Sequence, residues 1–354
     1  MPNDGRDYDW LYEDDRRASS GRSSSPSGAD LPPPNLPPPG ATPSPTPPSP
    51  RKKKRRKRRY LWLLLIAWLA FMVAVPFIAW GKVTKVDAAP DGDRPADQPG
   101  SNVLLVGSDA RPGETERGRT DSIMVLHTGS GPSVLTSFPR DSLVEIPGYG
   151  RTKINAAYVY GGPPLLVQTI EQNTGMHIDG YVEIGFEGLV DVVDAFGGVE
   201  LCPEEDLKDK DSHLDISAGC QNVNGETALA YSRNRKSYAN GDIARGEAQR
   251  EVIGAIGGKA RSPWTILNPV RYYRGATQTG SSLAVDEDMS LLSFTRFAWA
   301  LSGAMSGKGL SCTVPIADMQ VNWDADRAPA YFDRLINDDS SQLGDLCTPT
   351  GMPK

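Results

Sequence analysis

The sequence predicts an α/β fold: a layered α-β-α domain with a mixed central sheet, preceded by a disordered tail and one transmembrane helix. Three observations carry this expectation. The aliphatic runs VLLVG (103–107), IMVLHT (123–128) and VLTSF (134–138) lack polar alternation, as strands covered on both faces do. Beyond them strand-like and helix-like segments alternate, the pattern of helices layered on a sheet. Residues 60–80 carry no charge over 21 positions, enough helix to cross a hydrocarbon core of about 30 Å.

In chain order, residues 1–59 read as a cytoplasmic tail. Its Pro-rich stretch LPPPNLPPPGATPSPTPPSP (31–50) buries too little apolar surface to offset chain entropy. The run RKKKRRKRR (51–59) abuts the apolar segment, so it reads as a topology signal: N-terminus in the cytoplasm, catalytic domain extracellular, an uncleaved single-pass anchor in the cell membrane. Tyr60, Trp62 and Trp80 fall where interfacial aromatics belong. Residues 81–100 are a Pro/Asp/Gly-rich linker, and 101–354 form the globular domain. The net charge of −6 hides a partition, because nine cations at 51–59 and three surplus acids in 1–50 leave about −12 on residues 60–354. A domain so acidic does not bind nucleic acid through its overall charge. An anion site in it requires a local cluster of Arg and Lys.

Within the domain, the Pro-led PLLVQTIEQNTG predicts a helix ending at Gly175, followed by a strand YVEI and a helix over 186–196. That helix aligns Leu189, Val190, Val193 and Phe196 on one face. Gly197-Gly198 stops it, and VEL starts another strand. Asn224 caps a helix ending in Arg233 and Arg235, and Asp242 caps one reaching Lys259, with Arg245 and Gln249 four apart on one face. Amphipathic helices follow at 263–274 and 288–302, then a late strand CTVPIADMQVNW and a last helix PAYFDRLIND. The even count of cysteines in an exported domain predicts two disulfides, which sequence order pairs as Cys202–Cys220 and Cys312–Cys347 among three possible connectivities.

Chemistry concentrates in the loops of 102–141. Two carboxylates, Asp109 and Asp121, and two guanidiniums, Arg119 and Arg140, stand at strand ends, where ligands of open α/β sheets gather. Hard oxygen ligands beside forked donors suit a magnesium-bound diphosphate. The alternatives fail on spacing. The stretch from Asp109 to Asp121 lacks the alternating oxygens of an EF-hand, and GAMSGKG (303–309) is no P-loop. The chain also has no GxSxG elbow and no CxxC, and its three histidines are scattered.

Seven ordered motifs then matter together: VGSDAR, GRTDSIMV, SFPRDS, TKINAAY, FGGVEL, VNGETALAYSRNR and DIARGEAQR. In this order they resemble the LytR–CpsA–Psr family in its actinobacterial type, closely over about 100–260 and by general pattern over 261–340. The resemblance implies a membrane-anchored, magnesium-dependent phosphotransferase. Such an enzyme moves a secondary cell-wall glycopolymer from a polyprenyl-diphosphate carrier onto peptidoglycan through a phosphodiester bond. It implies that Asp109 and Asp121 hold Mg2+, and that Arg119, Arg140, Lys153, Arg233, Arg235, Arg245 and Gln249 grip the diphosphate, with Asp121, Arg119 and Arg140 catalytic. One departure stands out: Ala248 replaces a usual arginine, and Arg250 follows one position past Gln249. The polyprenyl chain calls for an apolar groove, for which Val190, Val193 and Phe196 or the face of 163–170 are candidates, with ordinary core as the competing reading. Two other functions fit parts of the pattern: a polyprenyl-diphosphate pyrophosphatase, and a non-enzymatic wall-binding or regulatory protein.

Overall fold

Both faces of the aliphatic strands are covered, and this explains their unbroken hydrophobicity. The computed structural model describes residues 54–109, 118–210, 212–234 and 242–353, with backbone alone at 54–58 and 242–245. The tail expected at 1–53 and Arg235 lie outside the described residues. Helix α1 (Lys54–Trp80) contains Arg59–Trp80, a segment long and apolar enough to cross a membrane and almost wholly exposed.

Strands β1 (Thr84–Val86), β2 (Ser101–Ser108), β3 (Thr120–Thr128) and β4 (Val134–Phe138) follow. A hairpin of β5 (Leu143–Ile146) and β6 (Gly150–Lys153) leads into α2 (Asn155–Thr174), then β7 (Gly180–Gly185) and α3 (Phe186–Ala195). Four short strands, β8 (Val199–Leu201), β9 (Leu207–Asp209), β10 (Leu214–Ile216) and β11 (Gln221–Val223), precede α4 (Gly225–Arg233) and α5 (Asp242–Ala260). The remainder is α6 (Pro263–Leu267), α7 (Pro269–Ser282), β12 (Leu283–Asp286), α8 (Leu291–Met305), β13 (Leu310–Thr313) and α9 (Arg327–Ile336).

The main sheet has seven strands in the order β1-β12-β7-β2-β3-β4-β13. It is mixed: β2 pairs parallel with β7 and antiparallel with β3, and β4 pairs parallel with β13. Alternate residues face opposite layers, as the strand period of two demands. Leu104, Val106, Ile123 and Val125 pack with Leu166 and Ile170 of α2 and Tyr331 and Leu335 of α9. Val103, Leu105, Met124 and Leu126 pack on the other side with Phe297 and Ala304 of α8. A smaller core joins the β8–β11 hairpins to α4 and α5. The result is the expected α-β-α layering.

Several boundaries differ from the sequence reading. The helix expected at 164–175 starts nine residues earlier at Asn155 and is kinked at Gly162, whose φ of 69° suits only glycine, just ahead of Pro163. The single helix at 263–274 is two, broken where the Asn268 side chain caps α7 by accepting from the backbone N–H groups of Val270 and Arg271, 3.1 Å each. Residues 81–100 are more than a spacer, since they supply β1, and Arg94 forms a 2.6 Å ion pair with buried Glu171. The late strand is confined to Leu310–Thr313.

The sulfurs of Cys202 and Cys220, and of Cys312 and Cys347, lie at bonding distance, as expected. The second bridge ties the edge strand β13 to the C-terminal segment across 35 residues. Replacing Cys312 and Cys347 together with Ala should lower stability by about 3–4 kcal/mol through the freed loop entropy. Guanidinium unfolding of the full chain in detergent measures this.

Candidate active site

The site is built at one end of the sheet, the edge formed by strand termini where β2 ends, β3 begins and β4 turns away. The backbone N–H of Asp109 donates to the carbonyl of Arg119 at 3.0 Å, and the Arg119 N–H donates back to the Asp109 carboxylate. The two ends of the intervening loop are thereby tied. On β3, Thr120 pairs with Ser108 and Ser122 with Gly107, so Asp121 is the extra residue of a β-bulge. A bulge re-aims its side chain away from the strand alternation. The Asp121 carboxylate accepts from Arg140 Nη1 at 2.5 Å, and the Asp121 backbone carbonyl accepts from Gln249 Nε2 of α5 at 3.3 Å.

Arg140 lies in a turn fixed by the sequence Phe-Pro-Arg-Asp-Ser. The Ser142 N–H donates to the Pro139 carbonyl, and the Ile154 N–H to the Ser142 carbonyl, locking the turn to the start of α2. Lys153, at the end of β6, reaches Asp141 at 2.8 Å. Asp109, Arg119, Asp121, Arg140, Lys153 and Gln249 are therefore gathered at one edge. Arg233, in the last turn of α4, stands with its guanidinium carbon 5.0 Å over the Phe186 ring, within cation–π reach. Arg245 is on α5 one turn before Gln249, but its side chain, like all of Arg235, lies outside the described residues.

Behind this edge is an apolar cavity of 230 Å³. Ser122, Ser232 and Gln249 form its polar end beside Asp121, and Phe186 lies under Arg233. The walls come from Leu189 and Val192 of α3, Val252 and Ile256 of α5, and Phe297 and Leu301 of α8, with β2 and β7 as floor. Of the sequence-based groove candidates, Phe196 lines a neighbouring apolar cavity that reaches α1, and others fall in the cores. Val193 is in the core of the smaller lobe, and Leu166, Val167 and Ile170 of α2 are in the main core on the other side of the sheet. A helix face that looks apolar in sequence does not say which of two apolar neighbours it meets.

Among the described residues, one trio of metal-type side chains comes together, Glu200 with Cys202 and Cys220. Its sulfurs are already joined to each other, which removes them as ligands.

The family model for LytR_cpsA_psr matches residues 79–326, which include this edge and both banks of the cavity. The chain belongs to the LytR_cpsA_psr family. The "Probable cell wall biosynthesis protein LcpB" of Corynebacterium glutamicum is 42% identical over 288 residues, 75% of this chain and 68% of that protein. The "Polyisoprenyl-teichoic acid--peptidoglycan teichoic acid transferase TagU" of Bacillus mycoides is 39% identical over 158 residues, 44% of this chain and 51% of that protein, so the match spans about half its length. Among solved structures, the LytR-Csp2A-Psr enzyme from Actinomyces oris superposes with a TM-score of 0.61 at 19% identity, covering 76% of this chain and 97% of that one, which shows the fold. A structure of TagT bound to LI-WTA gives a TM-score of 0.52 at 25% identity, covering 73% of this chain and 97% of that one. Relatives of this LytR_cpsA_psr chain thus act in cell-wall biosynthesis and teichoic acid transfer.

Within this LytR_cpsA_psr domain, the departure at Ala248 has a physical reading. Ala248 is buried in the core of the smaller lobe, while its neighbour Gln249 lines the apolar cavity. Arg250 does not replace the missing cation at the site. It is buried, donating to Ser137 Oγ at 2.8 Å and to the Pro349 carbonyl at 3.3 Å, and burial lowers its pKa. It braces β4 against the C-terminal segment.

One cluster escaped the sequence reading. Glu183, on the central strand β7, is buried and accepts from Ser108 Oγ at 2.5 Å, Tyr158 OH at 2.7 Å and Tyr181 OH at 2.6 Å. Burial, then the Glu183 charge, raises the pKa of both tyrosines. The available signal was an acid inside the apolar run YVEI, since a carboxylate in a covered strand requires donors. Ser108 immediately precedes Asp109, so the cluster fixes the strand end that presents that carboxylate. Glu183→Leu should cost about 1–3 kcal/mol for each buried hydroxyl left without its acceptor. A fall in the denaturant midpoint of Glu183→Leu, and a smaller one in Tyr158→Phe, checks this.

Proposed function

We propose that this chain is a membrane-anchored phosphotransferase that moves a wall glycopolymer from a polyprenyl-diphosphate carrier onto peptidoglycan. The observation that carries the reading is the junction of two chemistries. An apolar cavity ends at Gln249, whose amide touches the Asp121 that Arg140 holds. A ligand with a hydrocarbon tail and an anionic head matches that junction, and a polyprenyl diphosphate has both. The names of TagU, a polyisoprenyl-teichoic acid–peptidoglycan transferase, and of TagT bound to LI-WTA support the same class of donor.

In this mechanism the tail fills the cavity and the diphosphate lies along Arg119, Arg140, Lys153 and Arg233. The guanidinium forks hold phosphoryl oxygens and stabilise charge growing on the leaving group. The acceptor hydroxyl of peptidoglycan attacks the phosphorus that bears the glycopolymer. The oxygen–phosphorus bond forms as the hydroxyl passes its proton to a carboxylate of the site, Asp121 or Asp109, and the bond to the polyprenyl phosphate breaks with its electron pair on that leaving group. Asp109, one residue past the end of β2, and Asp121, in the bulge of β3, offer hard carboxylate oxygens, a donor set suited to Mg2+. Bound there, the ion would withdraw charge from the phosphoryl group as a Lewis acid. The anchor keeps the enzyme on the surface that holds the donor, with the domain outside the cytoplasm, and confinement raises their effective concentration.

The test uses a labelled lipid-linked donor with and without peptidoglycan. Label in the wall fraction supports transfer, whereas free phosphorylated glycan in equal yield under both conditions supports hydrolysis and rejects it. Excess chelator should stop the reaction and added Mg2+ restore it. Full turnover in chelator would give Asp109 and Asp121 another task.

A further inference from the structure

A second apolar surface lies beside the anchor. On α6 and the start of α7, Trp264 is 78% exposed, Leu267 65% and Val270 63%. Patches of this kind mark an interaction site. Across from them α8 exposes Leu292 and Trp299. The same segment is unusual in charge. Residues 252–285 contain Lys259, Arg261, Arg271 and Arg274 and no Asp or Glu, within a domain that is otherwise acidic.

The position of the patch is set by how α7 lies on α1. Tyr272 OH donates to the Met72 carbonyl at 3.1 Å, and its ring is 6.2 Å from that of Phe71. Eight residues later Gly280 meets Ala79, so closely that a Cβ there would clash with the Ala79 carbonyl oxygen. The two helices therefore run side by side in the same direction, with the α6 end of the pair at the depth of Phe71 and Met72. Met72 is eight residues before Trp80, about 12 Å along the helix. If the domain held the Phe71–Trp80 part clear of the bilayer, Tyr60 to Ala70 would span only about 16 Å of a hydrocarbon core of about 30 Å. The anchor is too short to leave this part outside, so α7 follows it in.

We propose that α6, the first half of α7 and the exposed edge of α8 form a second membrane contact. On this reading they are sunk in the leaflet where the anchor emerges, with Arg261 and Arg274 reaching anionic lipid headgroups, while Lys259 donates to Asn222 Oδ1 at 3.2 Å and Arg271 lies against Gly197. The inference rests on the reading of α1 as a membrane-spanning anchor. Long basic side chains suit this place, because their stems lie on apolar surface while their charges reach the headgroups. The contact also bears on lipid access. Thr279, Leu283, Phe294 and Ala298 line both the 230 Å³ cavity and a neighbouring one that reaches Pro76, Ala79 and Trp80 of α1. The apolar route from the site thus leads toward the bilayer rather than toward water.

The test places single cysteines in the full chain, whose four native cysteines are paired, at Leu267, at Leu65 in the anchor and at Ser341 on the exposed C-terminal segment. Each variant is labelled with a fluorophore and reconstituted into phosphatidylcholine vesicles with or without phosphatidylglycerol. Quenching by doxyl-labelled lipid and by aqueous iodide is then compared. The expected result is lipid quenching at Leu267→Cys as at Leu65→Cys, iodide quenching several-fold weaker than at Ser341→Cys, and a shift toward lipid with phosphatidylglycerol that Arg261→Gln with Arg274→Gln reduces. Iodide quenching at Leu267→Cys equal to that at Ser341→Cys, with Leu65→Cys still in lipid, overturns the second contact and leaves the anchor intact. Shielding of Leu267→Cys from both quenchers assigns the face to a protein partner or a second copy and also overturns it. Leu65→Cys in water would remove the anchor reading itself.

Discussion

Arg140→Ala should reduce glycopolymer attachment by about 10²–10³-fold, the cost of removing one charge-stabilising donor from a transfer site. Arg140 is the side chain that touches the Asp121 carboxylate, at 2.5 Å, in a turn held by backbone bonds at Ser142 and Ile154. Loss of the guanidinium therefore leaves the turn in place and removes both the phosphoryl donor and the partner that fixes Asp121. Arg140→Lys should recover only part of the activity, because an ammonium is a point charge that cannot grip two oxygens in parallel. Initial rates with the labelled donor, beside a denaturation curve for each variant, separate chemistry from folding. Wild-type turnover in Arg140→Ala with an intact fold would remove the diphosphate from this edge.

Ala298→Trp is expected to be the most selective lesion. Ala298 is exposed on α8, yet it lines both the 230 Å³ cavity and the neighbouring one that reaches the anchor. An indole there obstructs the passage between them without adding volume to the packed core. Each buried methylene is worth about 0.8 kcal/mol, so a tail denied a few carbons of contact loses about 10²-fold or more in binding. The loss should appear with a long polyprenyl donor and be nearly absent with a short-chain analogue, whose tail never reaches Ala298. Equal losses with both donors would mean that the substitution acts on the site or the fold instead. Turnover of the long donor at the wild-type rate would mean that the tail takes another path.

Some of this architecture was legible because local chemistry decides it. The three aliphatic runs suit strands buried on both faces, and β4 has the bounds its residues predict. Asn224 predicts its own cap, with its carboxamide oxygen accepting from the Thr227 N–H at 2.9 Å. The long apolar helix α1 is readable from the uncharged run at 60–80. The hairpin β5–β6, the edge strand β1 and its neighbour β12 were not, since each strand spans only three or four residues and gains its stability from the strands beside it. Glu183 showed that something polar lay under the sheet but not which hydroxyls would meet it.

What the sequence determined by itself is the inventory: a hydrophobic span, two pairs of cysteines, layered strands and helices, and a set of cations and carboxylates at their ends. Periodicity and composition encode these, because they depend on residues near one another in the chain. Only the tertiary structure decided which members of that inventory meet. It placed Asp121 in a bulge opposite Arg140, turned Arg250 into the interior, and formed the apolar cavity from α3, α5 and α8 rather than from α2. Those choices depend on register and on which helix covers which face of the sheet, and the second is fixed by contacts far apart in the chain, such as Gln249 with Asp121 and Arg250 with Ser137.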